Sequence, residues 1–378
     1  MTLIAYNDGI DMALVPPDEV AGIVGGDRPE VAVGWTNANP DWFADMTGVA
    51  FMANGGVGRA ISEGRVDYLP MRLSSIPRYF TDVRRPNVVV IAGVRRGDDL
   101  AFRGTVGWGY TAALLADQVV VEVDEDAFDL GAPPIPGNIV ATLARQEGAT
   151  LAPPRQIEDA ELAVAQSVLS VLPDDPTIQI GPGGVAEAIL RSLDRPVSVW
   201  TGVITDAVAE LGPRRLLTGK ATAGYTWGGS ALDELADDGK LRLLPVERTH
   251  EIATIGSIDR FVALNAALQV GLDGSVNIER VGKRLVSGIG GHADFCLGAS
   301  RSEGGLSIIA LRSTTRGGDS TIVPNVDVVS TPRTDVDMVV TEHGVADIRG
   351  ASTAARAELI ASVAAPEHQA MLLDASSG

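Results

Sequence analysis

The chain has 378 residues, of which 45% are hydrophobic and 21% charged, which is the profile of a folded protein and excludes a disordered one. This length favours two domains with ample buried apolar surface. The formal net charge of −19 argues against broad nucleic-acid binding, because phosphates are bound by clustered lysines and arginines. An anionic ligand would therefore need a local basic or amide-lined pocket.

The N-terminus has no basic segment followed by a continuous apolar run, and no stretch approaches the roughly 20 apolar residues of a membrane span. The single cysteine, Cys296, cannot form an intramolecular disulfide, which agrees with a reducing compartment. His250 and His368 have no motif context, and no ligand-spaced acids or cysteines accompany them. We therefore expect a cytoplasmic protein that does not act on membranes or nucleic acid and has no metal site.

Short apolar runs alternate along the chain with alanine- and leucine-rich stretches. Buried parallel strands are apolar on both faces, whereas a repeat of about 3.6 residues indicates helices. The predicted strands are 88–93, 118–124, 177–184, 196–202, 306–313 and 336–344. The predicted helices are 110–117, 157–172, 184–194, 203–211, 230–238 and 352–363. The alternation predicts an α/β fold with two doubly wound, mainly parallel domains.

The best break between the two domains is the segment LPDDPT at 172–177. Prolines and aspartates stop helices and favour turns. We therefore predict an N-terminal domain over residues 1–175 and a C-terminal domain over residues 176–378.

A glycine-rich segment, GIGGHADFCLGA, occupies residues 288–299. Gly288, Gly290 and Gly291 permit a turn whose backbone amides point at an anion or at a developing oxyanion. A plain strand-to-helix turn would carry the same glycines. The segment becomes more informative when the sequence around it is considered.

Residues 261–360 carry a dense series of ordered landmarks: the glycine loop with Asp294 and Phe295, then SIIA, IVP, TPR, VVTEHG and a closing IRG. This series resembles the C-terminal domain of the acetyl-CoA hydrolase/4-hydroxybutyrate CoA-transferase family. Weaker similarity to the N-terminal domain of that family covers 64–77, 88–99 and 118–127. The resemblance implies the NagB/RpiA/CoA-transferase-like fold and an acyl-CoA thioester as substrate, with no permanently bound cofactor.

Members of this family attack the thioester with a buried glutamate, which becomes a glutamyl-CoA thioester while backbone amides stabilise the oxyanions. The corresponding segment here is VSVWTGVITDAV, residues 197–208. Thr201 and Asp206 keep their places, and Gly202 stands at the glutamate position. No acid occurs in residues 196–205, so a shifted alignment does not recover one.

Two other residues are candidates for the chemistry. Glu342, in VVTEHG, would act as a general base towards water if burial raised its pKa. It would alternatively orient a loop or pair with a basic residue. His292, where relatives carry glutamine, would donate a hydrogen bond to an oxyanion or accept a proton, or would replace the amide as a structural donor.

The resemblance also suggests residues that bind coenzyme A. The loop GPGGVAEAIL at 181–190 resembles a glycine loop that helps to hold coenzyme A, and Arg316 stands where relatives carry a cation that contacts it. Alternatively, Arg316 is an exposed arginine that binds no ligand. Cys296 is expected in the core, and His250 and His368 have no motif context. The candidate binding residues are Gly181, Gly183, Gly184, Val185, Gly288, Gly290, Gly291, Asp294 and Arg316.

Three functions remain open at this point. The first is an enzyme that processes acyl-CoA without a glutamyl-CoA intermediate, by hydrolysis or other acyl-CoA chemistry. The second is a catalytically inactive CoA-binding or scaffold subunit, and the third is a diverged enzyme with a non-CoA substrate. The resemblance implies a homo-oligomer or pairing with a related subunit.

Overall fold

The computed structural model describes residues 1–145 and 156–376, and its N-terminal part is organised by one eight-stranded sheet. The strands are β1 (Thr2–Tyr6), β2 (Pro29–Val33), β3 (Gly48–Ala50), β4 (Val66–Tyr68), β5 (Val88–Arg96), β6 (Asp99–Phe102), β7 (Gln118–Val123) and β8 (Ile139–Ala144). The helices are α1 (Pro17–Val24), α2 (Gly55–Ser62), α3 (Ile76–Asp82) and α4 (Gly109–Leu115). The strand order is β4-β3-β2-β1-β5-β7-β8, all parallel, and β6 pairs antiparallel with β5.

The central strand β5 shows why the sheet is covered on both faces. Its residues from Val88 to Val94 are all buried. Val89 and Ile91 pack into one hydrophobic core, and Val88 and Val90 pack into a second core. Alternate residues of a strand point to opposite faces, so an unbroken apolar run requires helices on both sides.

The second large sheet lies in the C-terminal part. The strands there are β9 (Thr177–Ile180), β10 (Ser198–Val199), β11 (Val203–Thr205), β12 (Ala221–Ala223), β13 (Tyr225–Trp227), β14 (Leu241–Leu243), β15 (Phe261–Asn265), β16 (Gln269–Gly271), β17 (Val276–Asn277), β18 (Arg280–Val281), β19 (Arg284–Leu285), β20 (Leu306–Ala310), β21 (Ile322–Val323), β22 (Met338–Thr341) and β23 (Gly344–Asp347). Six strands form the sheet in the order β10-β9-β15-β20-β22-β23, and only the β22–β23 pair is antiparallel.

Nine further helices belong to the described part of the chain after residue 155. They are α5 (Asp159–Leu169), α6 (Gly184–Ser192), α7 (Asp206–Ala209), α8 (Ser230–Asp237), α9 (Val246–Thr249), α10 (Ile252–Gly256), α11 (His292–Ala299), α12 (Thr353–Ser362) and α13 (Pro366–Ser376). The two parallel, doubly wound sheets confirm the fold class predicted from the sequence. The exact boundary between 1–175 and 176–378 stays a prediction.

Two of the predicted elements differ from the structure. The predicted helix 203–211 begins as strand β11, because the β-branched Val203, Ile204 and Thr205 pair in parallel with β13. Only 206–209 is helical. The predicted strand 196–202 shrinks to Ser198–Val199, and Val197 and Trp200 instead form single bridges to a neighbouring segment.

Hydrogen bonds tie the N-terminal part to the C-terminal part. The Ser74 hydroxyl donates to Asp294 Oδ1 at 2.7 Å, and the Tyr68 hydroxyl donates to Glu279 Oε1 at 2.7 Å. Both carboxylates come from the C-terminal part, and both are almost completely buried. The two sheets are therefore held in a fixed arrangement around the space between them.

Across residues 1–145 and 156–376, no helix has both the length and the apolar character needed to cross a bilayer. The same residues contain no cluster of three or more histidine, cysteine, aspartate or glutamate side chains arranged to hold a metal ion.

Candidate active site

A cavity of about 300 Å³ lies between the two large sheets. Asp8, Trp35 and Met52 line it from the N-terminal part, where they follow the carboxyl ends of β1, β2 and β3. Gly181 follows β9, and Asn265 ends β15, on the opposite wall. Open parallel sheets bind ligands at the carboxyl ends of their strands. This cavity receives those ends from both sheets, so it is the best candidate for the active site.

The glycine loop predicted from the sequence forms part of this cavity. Gly288, Gly290 and Gly291 all line it, immediately before α11. Gly290 has a φ of 56°, a conformation that favours glycine. Its carbonyl accepts a hydrogen bond of 2.9 Å from the Leu73 amide. At Gly288, an added Cβ would lie 2.6 Å from the Phe51 carbonyl oxygen, so this loop packs directly against the N-terminal part.

The second predicted glycine loop lies at the edge of the same cavity. Gly181 lines the cavity directly. Gly183 precedes α6 with a φ of 135°, and Gly184 and Val185 are the first residues of that helix. The loop therefore places the N-terminus of a nine-residue helix near the cavity. The partial positive charge of a helix N-terminus favours anions.

Gly202, which the family resemblance aligns with the glutamate, lies in the cavity wall immediately before β11. Its carbonyl accepts hydrogen bonds from the amides of Gly224 and Tyr225 at 3.2 and 3.0 Å. An added Cβ would lie 3.4 Å from both His250 Nε2 and Phe295 Cε2, which is ordinary van der Waals contact. The wall at residue 202 is therefore formed by a glycine, an imidazole and an aromatic ring.

His250 is completely buried beside Gly202. Its Nδ1 lies 2.8 Å from the Thr249 hydroxyl, and its Nε2 has no hydrogen-bond partner. The ring packs on Phe295 with a centroid distance of 4.6 Å. Burial lowers the pKa of His250 to about 3, so the imidazole is neutral at physiological pH and is a weak base there. Sequence reasoning missed His250 because no local motif surrounds it.

Asp8 is a second functional candidate that the sequence reasoning missed. The carboxyl is buried, and its Oδ2 accepts a hydrogen bond of 3.3 Å from the Trp35 amide. Oδ1 faces Trp108 Nε1 and Tyr225 Oη, but none of these three atoms has a hydrogen-bond partner of normal geometry. Burial raises the pKa of Asp8 to about 7, although the donors from Trp35, Trp108 and Tyr225 oppose the shift. The sequence feature that could have indicated Asp8 is the polar segment Asn7-Asp8-Gly9, which directly follows the apolar strand β1.

His292 lies in the cavity wall at the start of α11, as expected for a residue of the glycine loop. Its Nδ1 lies 2.8 Å from the Thr331 hydroxyl and 3.6 Å from Cys296 Sγ. Burial lowers the pKa of His292 to about 4, opposed by the backbone of Ala266. The imidazole is therefore neutral, like that of His250. Burial also raises the pKa of the Cys296 thiol to about 12, which makes it unreactive.

Gly183, Gly184 and Val185 do not line the described cavity directly, and neither do three further predicted residues, Glu342, Arg316 and Asp294. Glu342 accepts hydrogen bonds from the Ser313 amide at 2.9 Å and from its hydroxyl at 2.7 Å. Arg316 is exposed and forms an ion pair of 2.9 Å with Glu158. Asp294 lies in the first turn of α11, directly after the glycine loop, and accepts a hydrogen bond from the Ser74 hydroxyl of the N-terminal part. Their roles in binding or catalysis stay predictions.

Comparison with known proteins shows the family of this chain. Residues 230–376 match the family model of the acetyl-CoA hydrolase/transferase C-terminal domain. The 4-hydroxybutyrate coenzyme A transferase of Clostridium kluyveri is 30% identical over 345 residues, which cover 86% of this chain and 80% of that protein. The chain belongs to the acetyl-CoA hydrolase/CoA-transferase family.

Solved structures of similar fold cover almost all of this family member. RipA from Yersinia pestis superposes with a TM-score of 0.85 at 21% identity, covering 100% of this chain and 93% of that one. The 4-hydroxybutyrate CoA-transferase from Porphyromonas gingivalis gives a TM-score of 0.77 at 24% identity, covering 99% and 92%. At these identities the likeness concerns the fold.

Proposed function

We propose that this family member hydrolyses acyl-CoA thioesters in the cavity between the two sheets, by direct attack of water and without a glutamyl-CoA intermediate. The observation that carries the proposal is Gly202. At the position that the family resemblance aligns with the nucleophile, the cavity wall has a glycine beside the buried, neutral imidazole of His250. Neither group forms an anhydride with the acyl group.

The cavity supplies the other requirements of thioester cleavage. Apolar side chains from both parts of the chain, including Met52, Leu73 and Phe295, line it and suit an acyl chain. The glycine backbone at 288–291 offers amides near the start of α11 for the developing oxyanion. In this proposal the loop at 181–185 holds part of coenzyme A at the N-terminus of α6.

His250 does not act as the general base in this proposal. A group with a pKa of about 3 binds a proton too weakly to remove one from water near neutral pH. Instead, the His250 ring packs between Gly202 and Phe295 and so fixes the shape of the cavity wall beside the thioester. The imidazole is thus a packing group in the cavity wall.

The experiment that tests this function is hydrolysis of a panel of acyl-CoA esters with the free thiol monitored by a disulfide reagent. The buried Cys296 is the only cysteine, so the folded protein contributes little background. We expect thiol release without an added acceptor acid, and one ¹⁸O atom from labelled water in the acid product. Added acetate should not accelerate the release.

Three results would contradict the proposal and point elsewhere. Trapping of an enzyme-bound thioester by hydroxylamine in the unmodified protein would show a covalent route. Binding of CoA esters without turnover would support the inactive subunit. Absence of any CoA-ester binding would support a non-CoA substrate.

A further inference from the structure

We propose that a second cavity of this protein binds a small organic cation, a primary ammonium group on a short apolar carbon chain. This cavity has a volume of about 290 Å³, and none of its described lining residues also lines the candidate active site. The proposal concerns binding at a different place, so it does not rest on thioester hydrolysis.

Strand β13 separates the second cavity from the candidate active site. Tyr225 lines the active site, and the next residue, Thr226, lines the second cavity. Trp227 again faces the active-site side, because its ring packs on that of Trp35, a lining residue of the active site, with a centroid distance of 5.3 Å. Successive side chains of a strand point to opposite faces. The two cavities therefore lie on opposite faces of β13.

Two oxygen atoms of buried side chains in the second cavity can still accept a hydrogen bond. Thr226 is 4% exposed, and its hydroxyl has no hydrogen-bond partner within residues 1–145 and 156–376. Asp11 is 3% exposed, and its Oδ1 accepts from the Thr105 hydroxyl at 2.8 Å. Arg103 Nη1 lies 3.9 Å from Asp11 Oδ2, which is beyond hydrogen-bond distance. Buried polar atoms normally have a partner, so Thr226 Oγ1 and Asp11 Oδ2 point to a ligand.

These two oxygen atoms converge on one point of the wall, beside Gly104. An added Cβ at Gly104 would lie 2.5 Å from Thr226 Oγ1 and 3.2 Å from Asp11 Oδ2. All three residues line the cavity. An ammonium group carries three N–H donors, so it can donate to both oxygens at once. Any side chain at residue 104 would crowd this point.

The charges of the wall also favour a cation. Three carboxylates line the cavity, those of Asp11, Asp126 and Asp233, and they face one described cation, Arg103. Arg103 is already paired, because its Nε donates to Asp124 Oδ2 at 2.8 Å. The wall is therefore net negative, and in a partly buried site this charge attracts a cation more strongly than it would in water.

The N-terminus of helix α8 borders the cavity, and a helix N-terminus favours anions. Here carboxylates of the protein already serve it. The Gly229 amide, directly before α8, donates to Asp206 Oδ1 at 2.9 Å, and Asp233 lies in the first turn of the helix. These two carboxylates offset the partial positive charge, so the helix gives an anionic ligand little attraction.

The apolar part of the wall suits a carbon chain. Ile10, Leu130 and Leu232 line the cavity together with Phe128. The Phe128 side chain is 45% exposed, so a ligand that covers its ring removes apolar surface from water. The face of an aromatic ring also attracts cations. A ligand with an ammonium head and a short apolar chain therefore matches both parts of this wall.

The experiment measures the binding of hexylamine to the whole chain by calorimetry near neutral pH, where alkylamines are protonated. Hexan-1-ol is the matched probe, because it has the same carbon chain without the charge. We expect hexylamine to bind and hexan-1-ol to bind about 10-fold more weakly or less, since hydrogen bonds to charged groups are the stronger ones.

Variants locate the bound amine. Asp11→Asn should weaken hexylamine binding by about 10-fold or more, because it removes the charge that faces the ammonium group. Thr226→Val keeps the shape of the side chain without the hydroxyl, and it should weaken binding by about 3-fold or more. Asp8→Asn is the matched control, since Asp8 is another buried aspartate but lines the other cavity, and it should keep the wild-type affinity.

Thermal melting of each variant checks the fold. If Asp11→Asn fails to fold, Phe128→Ala is the next variant, because its ring is exposed, and it should also weaken hexylamine binding. Equal affinities for hexan-1-ol and hexylamine would overturn the cationic class of ligand. Binding that is lost in Asp8→Asn and kept in Asp11→Asn would place the amine in the active site and overturn the proposal. Absence of hexylamine binding at millimolar concentration would do the same, and none of these results decides whether the protein hydrolyses thioesters, which thiol release measures separately.

Discussion

Replacing Gly202 with glutamate is expected to give this protein acyl transfer to a free carboxylic acid. The backbone accepts the change, because Gly202 is not among the residues with positive φ. The new Cβ would meet His250 Nε2 and Phe295 Cε2 at 3.4 Å, which is ordinary contact. Beyond the Cβ, the carboxylate extends into the cavity of about 300 Å³.

The cost to stability should be small. Replacing a glycine at a compatible position stabilises by about 0.4–1 kcal/mol through the unfolded state. Placing the carboxylate beside uncharged His250 and Phe295 opposes this gain and raises the pKa of the new glutamate. We expect the two effects to offset each other to within about 2 kcal/mol, the range of most single substitutions.

The assay incubates butyryl-CoA with acetate and follows acetyl-CoA by chromatography. Gly202→Glu should form acetyl-CoA, and hydroxylamine should trap its glutamyl thioester. Gly202→Gln is the matched control, because it fills the same space without a nucleophile and should form neither. If Gly202→Glu folds, binds butyryl-CoA and still forms no acetyl-CoA or adduct, then residue 202 does not occupy the nucleophile position and the alignment is wrong.

Three further outcomes are expected. Gly291→Ala should reduce thioesterase activity strongly, because the new Cβ would overlap with His250 Nε2. Gly202→Ala is the control and should keep its activity, because its Cβ makes only ordinary contacts. Comparable activity of the two variants would contradict this packing. Asp294→Asn should flatten the pH dependence of the melting temperature between pH 4 and 6. Since burial raises the pKa of Asp294 to about 6 from 3.8, the wild type loses stability as the pH rises through that window, and a persisting slope in the variant would assign it to another group. Cys296 should resist a thiol reagent in the folded protein and react only after denaturation, because its thiol is buried and its pKa is about 12; labelling under native conditions would count against this burial.

Sequence patterns predicted the fold well because buried parallel strands leave a strong signal. The run at 88–93 became the two-sided core strand β5. The helix predicted at 203–211 was wrong at its start, because pairing with β13 is a long-range contact that local periodicity does not contain.

The site was only partly predictable. The glycine loops at 181–184 and 288–291 were found because glycine spacing is a local feature, and both border the cavity. Asp8 and His250 lie far apart in the sequence and carry no motif, so only the packing of the two parts of the chain brings both to the cavity. The surroundings of Glu342, held by Ser313 away from the cavity wall, also depend on packing.

The division of the cavity between two sheets has a thermodynamic consequence. A ligand that contacts both walls binds only when both parts are folded and docked, so its binding energy favours the joined state over any form in which one part has opened. Calorimetric unfolding should therefore become more cooperative as a CoA thioether is added, with the less stable part gaining most. If either half opened, the ligand would be released. The fraction of protein with ligand bound would therefore report the fraction in which both halves are folded and docked.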